Sequence, residues 1–444
     1  MEWTRLISDL RFGMEHYRDP KSRGVRSDFR RDFDRLVFSS PFRRLQNKTQ
    51  VFPLPGSVFV HNRLTHSLEV ASVGRSLASE VALRLAPKYA GDAATLAALE
   101  SAEEIVAAAC LAHDLGNPPF GHSGEKAIST FFSEGAGASL REELTEAQWA
   151  DLVHFEGNAN ALRLLTHQFA GRRKGGFAMT YSTLASIVKY PFSSRLAGNK
   201  NKFGFFTSEE ETFVRIADEL GLVRRPGELV SYCRHPLVYL VEAADDICYE
   251  VMDIEDAHKL KILSSEEVMR LFLGFFPPER QKKMVEVMDM LRDPNEKVAY
   301  LRSSVIGALV NACAAVFAAH EEEILAGEFR GELLDHVPAL ERDAYAACNA
   351  VSWDKIYRAR EVVDVELGGN RIITFLLEKL IHAVRYPELN YSRLLLSQVP
   401  SQYDVDSPTL FGKIQAVLDH VSGMTDVYAL DLYRKLNGLS LPAV

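Results

Sequence analysis

The stretch HDLGNPPFGHSGE, from His113 to Glu125, constrains the fold more than any other part of this sequence. The preceding residues 105–112 are apolar and rich in helix formers, and the Gly and Pro residues after Asp114 are typical of a helix end. Adjacent His and Asp side chains diverge on a regular helix or strand, whereas a helix end can direct both towards one ion. The stretch therefore predicts a buried helix that ends in a ligand pair. Because a lone His-Asp pair is also common as a surface hydrogen-bonded pair, further ligands are needed.

Two other segments supply ligands of the same kind. His66 lies near the start of a long predicted helix, and Asp245 lies inside an apolar helical segment. The predicted metal ligands are His66, His113, Asp114 and Asp245. This mixed set suits a divalent ion, Mn²⁺ or Mg²⁺ first and Fe, Co or Zn as alternatives, and it leaves coordination positions for water and substrate. One nearby thiol, Cys248, cannot form a Cys-rich structural zinc site.

Helical periodicity dominates the rest of the sequence and predicts an all-α fold. Amphipathic or buried helices are predicted over residues 64–85, 105–112, 155–168, 209–220, 236–252, 298–324 and 372–384. A capping box is predicted at 207–210, and exposed loops at 134–151 and 171–176. Strand signals are weak, and residues 51–60 with their Pro-Gly break predict at most a short β-hairpin.

Composition is compatible with a large cytosolic protein. A chain of 444 residues with 47% hydrophobic content can bury a large core. The charged, aromatic N-terminus does not have the pattern of a signal peptide. Residues 303–319 are uncharged but shorter than the roughly 20 apolar residues that a membrane span needs, so they predict a buried helix and no membrane association. The five cysteines show no close pairing or metal-site spacing and are expected to be reduced.

The charge distribution is uneven. The net charge of −9 argues against a general nucleic-acid coat, but residues 1–50 carry 12 Lys and Arg against 7 Asp and Glu. A basic N-terminal segment on an acidic body could contact a polyanion, either the substrate phosphates or a DNA strand. The alternative is ordinary ion pairing on a helix surface, as over residues 28–35.

The H…HD…D arrangement is typical of the HD-domain metal phosphohydrolases, and several longer blocks extend the match. Together these blocks resemble the bacterial deoxyguanosine triphosphate triphosphohydrolases, relatives of the animal dNTPase that carries a sterile-alpha-motif domain. The resemblance runs from about residue 20 to about residue 435 in the family's order. The blocks are RLTHS at 63–67, HDLGNPPFGHSGE at 113–125, HFEGN at 154–158, KYP at 189–191 and GMTD at 423–426.

The resemblance implies a metal-dependent dNTP triphosphohydrolase that prefers dGTP. In this family, water attacks the α-phosphorus and releases a deoxynucleoside and inorganic triphosphate. The expected organisation is a basic N-terminal segment (1–40), an HD core (41–260) and a C-terminal helical region (261–444) that completes the site and the oligomer contacts. The resemblance also implies a cytoplasmic homo-oligomer, a hexamer in the family's manner, with ssDNA as a candidate effector. The alternatives are an HD phosphohydrolase of another nucleotide class and a non-catalytic HD regulator that responds to nucleotide or ssDNA.

His122 and Glu125 are three residues apart, so on a helix that starts near Ser123 they would share a face. A Glu beside a His can hold its tautomer and raise its pKa, which suits proton transfer near neutral pH. A lone His-x-x-Glu is normally a surface ion pair, but the resemblance assigns this pair to catalysis, with His154 in support. Asn117 agrees with the bacterial enzymes, because the animal relatives have His at this position.

Tyr249 and Asp253 follow Asp245 by four and eight residues, so Asp253 should lie about 12 Å further along a related face of the same helix. The resemblance implies that the Tyr packs on the deoxyribose and excludes a 2′-OH, while the Asp binds the 3′-OH. Gln50 matches the family's sugar-contacting Gln, with Gln46 as the alternative. On periodicity alone, Tyr249 would be a core residue.

A triphosphate needs cationic partners beyond one metal ion, because charge-assisted contacts are the strong ones for phosphate. The candidates are Arg63, Lys189 with Tyr190, and Lys202. Each lysine alone would be expected on the surface, and the KYP block gains its assignment only from the resemblance. The sequence lacks the GxxxxGK[ST] element of P-loop nucleotide hydrolases.

Overall fold

The computed structural model describes residues 1–16, 26–53 and 60–439. Within these ranges the chain forms helices and isolated β-bridges but no strand, so the predicted all-α fold is confirmed. The first half contains α1 (Trp3–Leu6), α2 (Asp28–Val37), α3 (Ser40–Arg44), α4 (Arg63–Leu85), α5 (Ala93–Ala112), α6 (Gly121–Ser133), α7 (Glu146–Val153), α8 (Gly157–Thr166), α9 (Tyr181–Ser186), α10 (Glu210–Leu220) and α11 (Val238–Lys259).

The second half is also helical. It contains α12 (Ser265–Leu273), α13 (Pro278–Met290), α14 (Pro294–Ala319), α15 (Glu321–Ala326), α16 (Ala339–Val351), α17 (Arg360–Arg385), α18 (Asn390–Leu396), α19 (Leu410–Ser422) and α20 (Asp426–Leu436). Short 3₁₀ turns occur at Leu45–Asn47, Ala136–Glu143, Ser194–Leu196, Gly198–Lys200, Thr207–Glu209 and Leu333–His336, and a π-helical turn occurs at Ser352–Ile356.

The centre of the molecule is formed by α4, α5 and α11, which pack against one another, with α14 covering α4. A reciprocal capping box between Asn62 and Thr65 starts α4, and the Asp92 side chain accepts hydrogen bonds from two amides at the start of α5. Every residue from Ile105 to Ala112 is fully buried, as the apolar run predicts. His113 therefore marks the end of a rigid, buried helix.

Two clusters of buried apolar side chains hold the helices together. The larger one joins α4, α5, α11 and α14 with the N-terminal α1 and α2. The smaller one joins α6, through Ile128 and Phe132, to α17 and α19, through Leu376 and Val417. The second cluster thus combines helices from both sides of residue 260, and the predicted boundaries at 40 and 260 stay predictions.

The N-terminal segment is built into the larger cluster, where Trp3 and Leu6 are buried. Some of its charges are paired within the segment. Arg11 forms ion pairs with Asp28 and Asp32, at 3.0 and 2.6 Å. Ordinary ion pairing therefore accounts for part of the positive charge of the basic segment. Residues 17–25, which carry three more cations, lie outside the described residues.

Several local predictions were wrong. Residues 134–151 are not an exposed loop, because Leu140 and Leu144 are buried in the smaller cluster by the 3₁₀ turn and the start of α7. The capping box at 207–210 does not form, since the segment is a 3₁₀ turn and α10 begins at Glu210 without a side-chain cap. The predicted helix over 298–324 breaks at His320, between α14 and α15.

Other local predictions were confirmed or fall partly outside the described residues. Residues 171–176 form turns, as predicted. In the possible hairpin at 51–60, residues 54–59 lie outside the described residues, and the flanking Thr49 and Asn62 form one isolated antiparallel bridge.

By length and composition alone, Pro294–Ala319 could cross a membrane. The helix packs on α4, α11 and α12, and it contributes Leu301, Val305, Leu309 and Phe317 to the larger cluster. The segment at 303–319 is therefore part of a core helix, as predicted.

Candidate active site

The predicted metal ligands converge at the ends and sides of the three central helices. His66 lies on the first turn of α4, His113 and Asp114 follow α5, and Asp245 lies within α11. Potential ligand atoms of His66, His113 and Asp114 all lie within 4.8 Å of one another, so this group could hold a metal ion. Asp245 joins them through Oδ1, which is 2.9 Å from His66 Nε2 and 3.4 Å from His113 Nε2.

The His113 imidazole is oriented for coordination. Its Nδ1 donates to the carbonyl oxygen of Cys110, at 2.6 Å, so Nε2 is the nitrogen that faces the other predicted ligands. Nε2 is buried and makes no well-aligned hydrogen bond, although the Asp114 and Asp245 carboxylates are 3.6 and 3.4 Å away. A buried nitrogen of this kind costs free energy unless it has a partner, and two carboxylates with two imidazoles form a suitable donor set for a divalent ion.

Electrostatic interactions within the site favour ionised carboxylates. Burial lowers the pKa of His113, but the Asp114 and Asp245 carboxylates outweigh burial and raise this pKa to about 9. Burial raises the pKa of Asp245, but the two imidazoles hold it well below its usual range. The carboxylates are therefore ionised and attract a cation.

Asp114 is held by two neighbours. Arg63 Nη1 donates to Asp114 Oδ2 at 2.7 Å, and the side-chain amide of Asn117 donates from Nδ2 to Asp114 Oδ1. Arg63 is itself buried under Gly121, where a Cβ would lie 2.3 Å from Nη2, so only glycine fits at that position. Arg63, predicted as a phosphate ligand, thus contacts a predicted metal ligand directly, and its role towards phosphate stays a prediction.

His122 and Glu125 lie on the first turn of α6, which begins at Gly121 rather than at Ser123. His122 Nδ1 is 2.9 Å from Glu125 Oε2, and the exposed fractions of the two side chains are 71% and 11%. Glu125 Oε1 also accepts from the Gly157 amide at 2.8 Å, and a Cβ at Gly157 would lie 2.5 Å from this oxygen. The close approach of α8 to Glu125 therefore requires glycine.

The charges of this pair reinforce each other. The Glu125 carboxylate raises the pKa of His122. Burial raises the pKa of Glu125, but His122, Lys202 and the Gly157 amide outweigh it and lower this pKa to about 2. Each member of the pair therefore favours the charged form of the other.

His154 is placed differently from this pair. Its Nδ1 lies 2.6 Å from Asn201 Oδ1. Among the described residues it makes no hydrogen bond or ion pair with His122 or Glu125. Its supporting role stays a prediction.

The two candidate lysines are paired with buried glutamates. Lys189 Nζ lies 3.0 Å from Glu242 Oε1, and Lys202 Nζ lies 2.6 Å from Glu156 Oε1. Burial and the charge of Glu125 raise the pKa of Glu156, while Lys202 lowers it. Glu156 and Glu242 were not among the predicted site residues. Their positions, in the HFEGN block and in the helix of Asp245, are the only sequence signals that could have pointed to them.

Tyr190 connects the two lysines. Burial raises the pKa of its phenol, and the charges of Lys189 and Lys202 both lower it. Lys202 in turn interacts with Glu125 as well as with Glu156. The charges of Lys189 and Lys202 thus both act on Tyr190, and Lys202 also interacts electrostatically with Glu125 of the His122 pair.

The predicted sugar residues lie on the same face of α11 as Asp245. The Tyr249 ring meets the His66 ring edge to face, with centroids 6.5 Å apart. Asp253 is buried, and its Oδ2 accepts from the Tyr357 hydroxyl at 2.9 Å. The Tyr357 ring also stacks on Tyr249, with centroids 6.0 Å apart. Tyr357, next to the π-helical turn, was missed by sequence analysis, and no local pattern singles it out.

Of the two candidate glutamines, Gln50 suits a buried site better. Its Oε1 is buried and has no hydrogen-bond partner among the described residues, whereas Gln46 is exposed. No hydrogen bond within the described ranges joins Gln50 to Tyr249 or Asp253. Its contact with a sugar stays a prediction.

Two cavities lie away from the metal cluster. One of about 810 Å³ is lined by Leu10, Glu15, His16, Tyr181 and Arg215, and one of about 600 Å³ by Met269, Leu273, Val285 and Met288. Neither is lined by a predicted site residue.

The helical fold and the H…HD…D cluster define an HD-domain protein. Comparison with protein families matches residues 63–221 to the HD domain and residues 336–435 to the phosphohydrolase-associated domain. The chain belongs to the deoxyguanosinetriphosphate triphosphohydrolase family, as its similarity to named relatives shows. It is 37% identical to a deoxyguanosinetriphosphate triphosphohydrolase-like protein of Pseudomonas aeruginosa, over 100% of both chains.

Two further relatives agree. A protein of the same name from Synechocystis is 36% identical over 99% of this chain and 100% of its own. The deoxyguanosinetriphosphate triphosphohydrolase of Yersinia enterocolitica is 30% identical over 92% of this chain and 93% of its own. The family resemblance found in the sequence is thereby confirmed.

Proposed function

We propose that this protein is a metal-dependent dNTP triphosphohydrolase that prefers dGTP and releases a deoxynucleoside and inorganic triphosphate. The observation that carries the proposal is the convergence of His66, His113, Asp114 and Asp245 around the buried Nε2 of His113. The names of the relatives support the substrate class.

The four ligands would hold one divalent ion, Mn²⁺ or Mg²⁺ first. Such an ion supplies Lewis-acid polarisation of a phosphoryl oxygen. Arg63 and Asn117 keep Asp114 ionised and fixed in orientation through their hydrogen bonds. This outer layer of contacts is what keeps a ligand set in place before substrate binds.

In the proposed reaction, water attacks the α-phosphorus and the bond to the 5′-oxygen breaks. The leaving deoxynucleoside oxygen needs a proton, and the raised pKa of His122 makes its imidazolium a suitable donor. Glu125 orients the ring through Nδ1, so that Nε2–H is free to donate. The attacking water loses one proton to solvent, and His122 takes one proton back from solvent, which its exposure allows.

The remaining residues would bind the substrate. Lys189 and Lys202 would neutralise the triphosphate, whose charge replaces that of Glu242 and Glu156 as their partner, and the Tyr190 hydroxyl would donate a hydrogen bond to it. On the other side of the metal ligands, Tyr249 would pack on the deoxyribose. Asp253 would accept the 3′-OH, and Gln50 would reach the same sugar.

Product analysis tests this function. The protein is incubated with each dNTP and with GTP, in Mn²⁺ or Mg²⁺, and the phosphorus products are separated. Inorganic triphosphate with deoxynucleoside, fastest from dGTP, is expected. Orthophosphate released from a nucleoside monophosphate would favour another HD phosphohydrolase. Nucleotide binding without turnover, under every metal condition, would favour a non-catalytic regulator.

A cytoplasmic homo-oligomer, hexameric in the family's manner, completes the proposal. Light scattering tests the assembly, and a monomer at micromolar concentration would contradict it. Activation by ssDNA through the basic N-terminal segment is tested by titrating an oligonucleotide into a dGTP assay. A phosphate-mediated effect must weaken as salt rises.

A further inference from the structure

The GMTD block near the C-terminus has a defined place beside the active site. Asp426, the first residue of α20, is buried. Its Oδ2 accepts from the Thr49 amide at 2.8 Å, and its Oδ1 accepts from the Phe120 amide at 2.9 Å. One carboxylate thus joins two segments that are far apart in sequence.

A buried lysine joins the same segments a second time. Lys48 Nζ donates to the carbonyl oxygens of Asn117 and Ser422, at 2.6 and 2.7 Å. Lys48 is almost completely enclosed, so neither bond is shared with solvent. We call Lys48 and Asp426, with the residues that they bond, the C-terminal latch.

Each segment joined by the latch leads to a predicted site residue. Thr49 precedes Gln50, and the Lys48 carbonyl accepts from the Arg63 amide at 3.2 Å. On the other side, Asn117 donates to Asp114, and Phe120 is the residue from which α6 starts. The first turn of α6 then carries His122.

Phe120 needs this support. It has a φ of 63°, a left-handed conformation that is unfavourable for a bulky residue. Gly369 of α17 lies so close that a Cβ there would be 2.7 Å from the Phe120 side chain. The hydrogen bond to Asp426 and the packing of α17 together stabilise this left-handed conformation, which is unfavourable by itself. The conformation of Phe120 in turn sets the direction of α6.

We propose that Asp426 is a positioning residue for the reaction, and this proposal rests on the proposed function. Through the Phe120 amide it fixes the first turn of α6 and with it the His122–Glu125 pair. Through the Thr49 amide it fixes the segment that leads into Gln50. The phosphohydrolase-associated region thereby acts on the HD site through one carboxylate that need not touch substrate.

Hydrogen exchange tests the latch without any substrate. In Asp426→Ala, the Thr49 and Phe120 amides lose their acceptor, and their exchange should quicken by about tenfold or more. Asp426→Asn keeps the side-chain shape and one acceptor oxygen, so its effect should be smaller. Asp431→Asn, on the same helix but paired with Lys435 at the surface, is the matched control and should leave both amides unchanged.

Steady-state kinetics test the positioning role. Turnover of dGTP per folded protein should fall by about tenfold or more in Asp426→Ala, with KM changed much less, because the catalytic pair is displaced rather than the binding residues removed. Asp426→Asn should restore part of kcat. If Asp426→Ala does not fold, the comparison of Asp426→Asn with Asp431→Asn decides.

Three outcomes are decisive. Unchanged exchange at both amides would overturn the latch. Faster exchange with turnover per folded protein equal to that of Asp431→Asn would mean that the latch is structural only, and would overturn the positioning role. If the wild-type protein hydrolyses no dNTP, the proposed function fails and the positioning role fails with it, whereas the exchange measurement still shows whether the latch exists.

Discussion

Arg163 and Asp419 form a bidentate ion pair, in which Nε and Nη2 each lie 2.8 Å from one carboxylate oxygen. Arg163 belongs to α8, within the region matched to the HD domain, and Asp419 belongs to α19, within the phosphohydrolase-associated region. Both side chains are buried, and Arg163 Nη1 also pairs with Glu209 at 2.7 Å. The two matched regions are therefore joined by charge as well as by apolar packing.

Replacing Asp419 should destabilise the protein strongly. Asp419→Ala leaves the Arg163 charge buried with only Glu209 to balance it, and breaking a buried pair in this way typically costs about 3–5 kcal/mol. The free energy of unfolding, measured in denaturant, should fall by an amount of that order. Asp431→Ala removes an exposed pair and should change it by about 1 kcal/mol or less. Equal effects of the two variants would contradict the structural role of the buried pair.

Removing a predicted metal ligand should abolish turnover. Asp114→Ala and His113→Ala should each lose several orders of magnitude in dGTP hydrolysis, because one of four protein ligands is missing. Metal content measured on the purified variants should fall in parallel. His336→Ala, which alters a histidine outside the cluster, should keep both activity and metal.

The ligand assignment has a clear failing result. Activity above about a tenth of the wild-type value in Asp114→Ala would contradict it, since loss of a true ligand is not tolerated to that degree. Retained metal with lost activity would place the ion at other residues.

The sequence predicted the helix end that carries the HD pair because an apolar run and a Gly-Pro stop coincide there. It failed over residues 134–151, where Ser, Gly and Glu suggest a loop but a few leucines bury against α6 and the C-terminal helices. Such burial depends on partners that are distant in sequence, and periodicity within a short window does not contain them.

The site was predictable to a similar degree. The HD and KYP blocks could be recognised in the sequence because each is a short local pattern. The partners that hold them are not local: Glu156 reaches Lys202, and Tyr357 reaches Asp253 across 104 residues. Contacts of this kind leave no spacing pattern, so they appear only once the helices are packed.

The sugar contacts should make the protein select deoxynucleotides. If Tyr249 packs on the deoxyribose, dGTP should be hydrolysed far better than GTP, and Tyr249→Ala should reduce that preference. Asp253→Asn should lower kcat/KM for dGTP by about tenfold, the usual effect of disturbing one buried hydrogen bond. The same substitution should change kcat/KM for the 3′-deoxy analogue of dGTP much less, because this analogue has no 3′-OH. Equal rates of the wild-type protein on dGTP and GTP would refute the proposed role of this pair.

The pH dependence of turnover should depend on Glu125. Because Glu125 raises the pKa of His122 above its ordinary 6.5, the imidazolium persists above that pH and is lost as pH rises through the higher value. The alkaline limb of kcat in the wild-type protein should therefore lie above pH 6.5, and in Glu125→Gln it should move to lower pH. The chain provides a matched control in His320 and Glu323, a pair with the same spacing but at the surface, 3.1 Å apart. Glu323→Gln should leave the pH profile unchanged, and an identical profile in Glu125→Gln would exclude His122 as the proton donor.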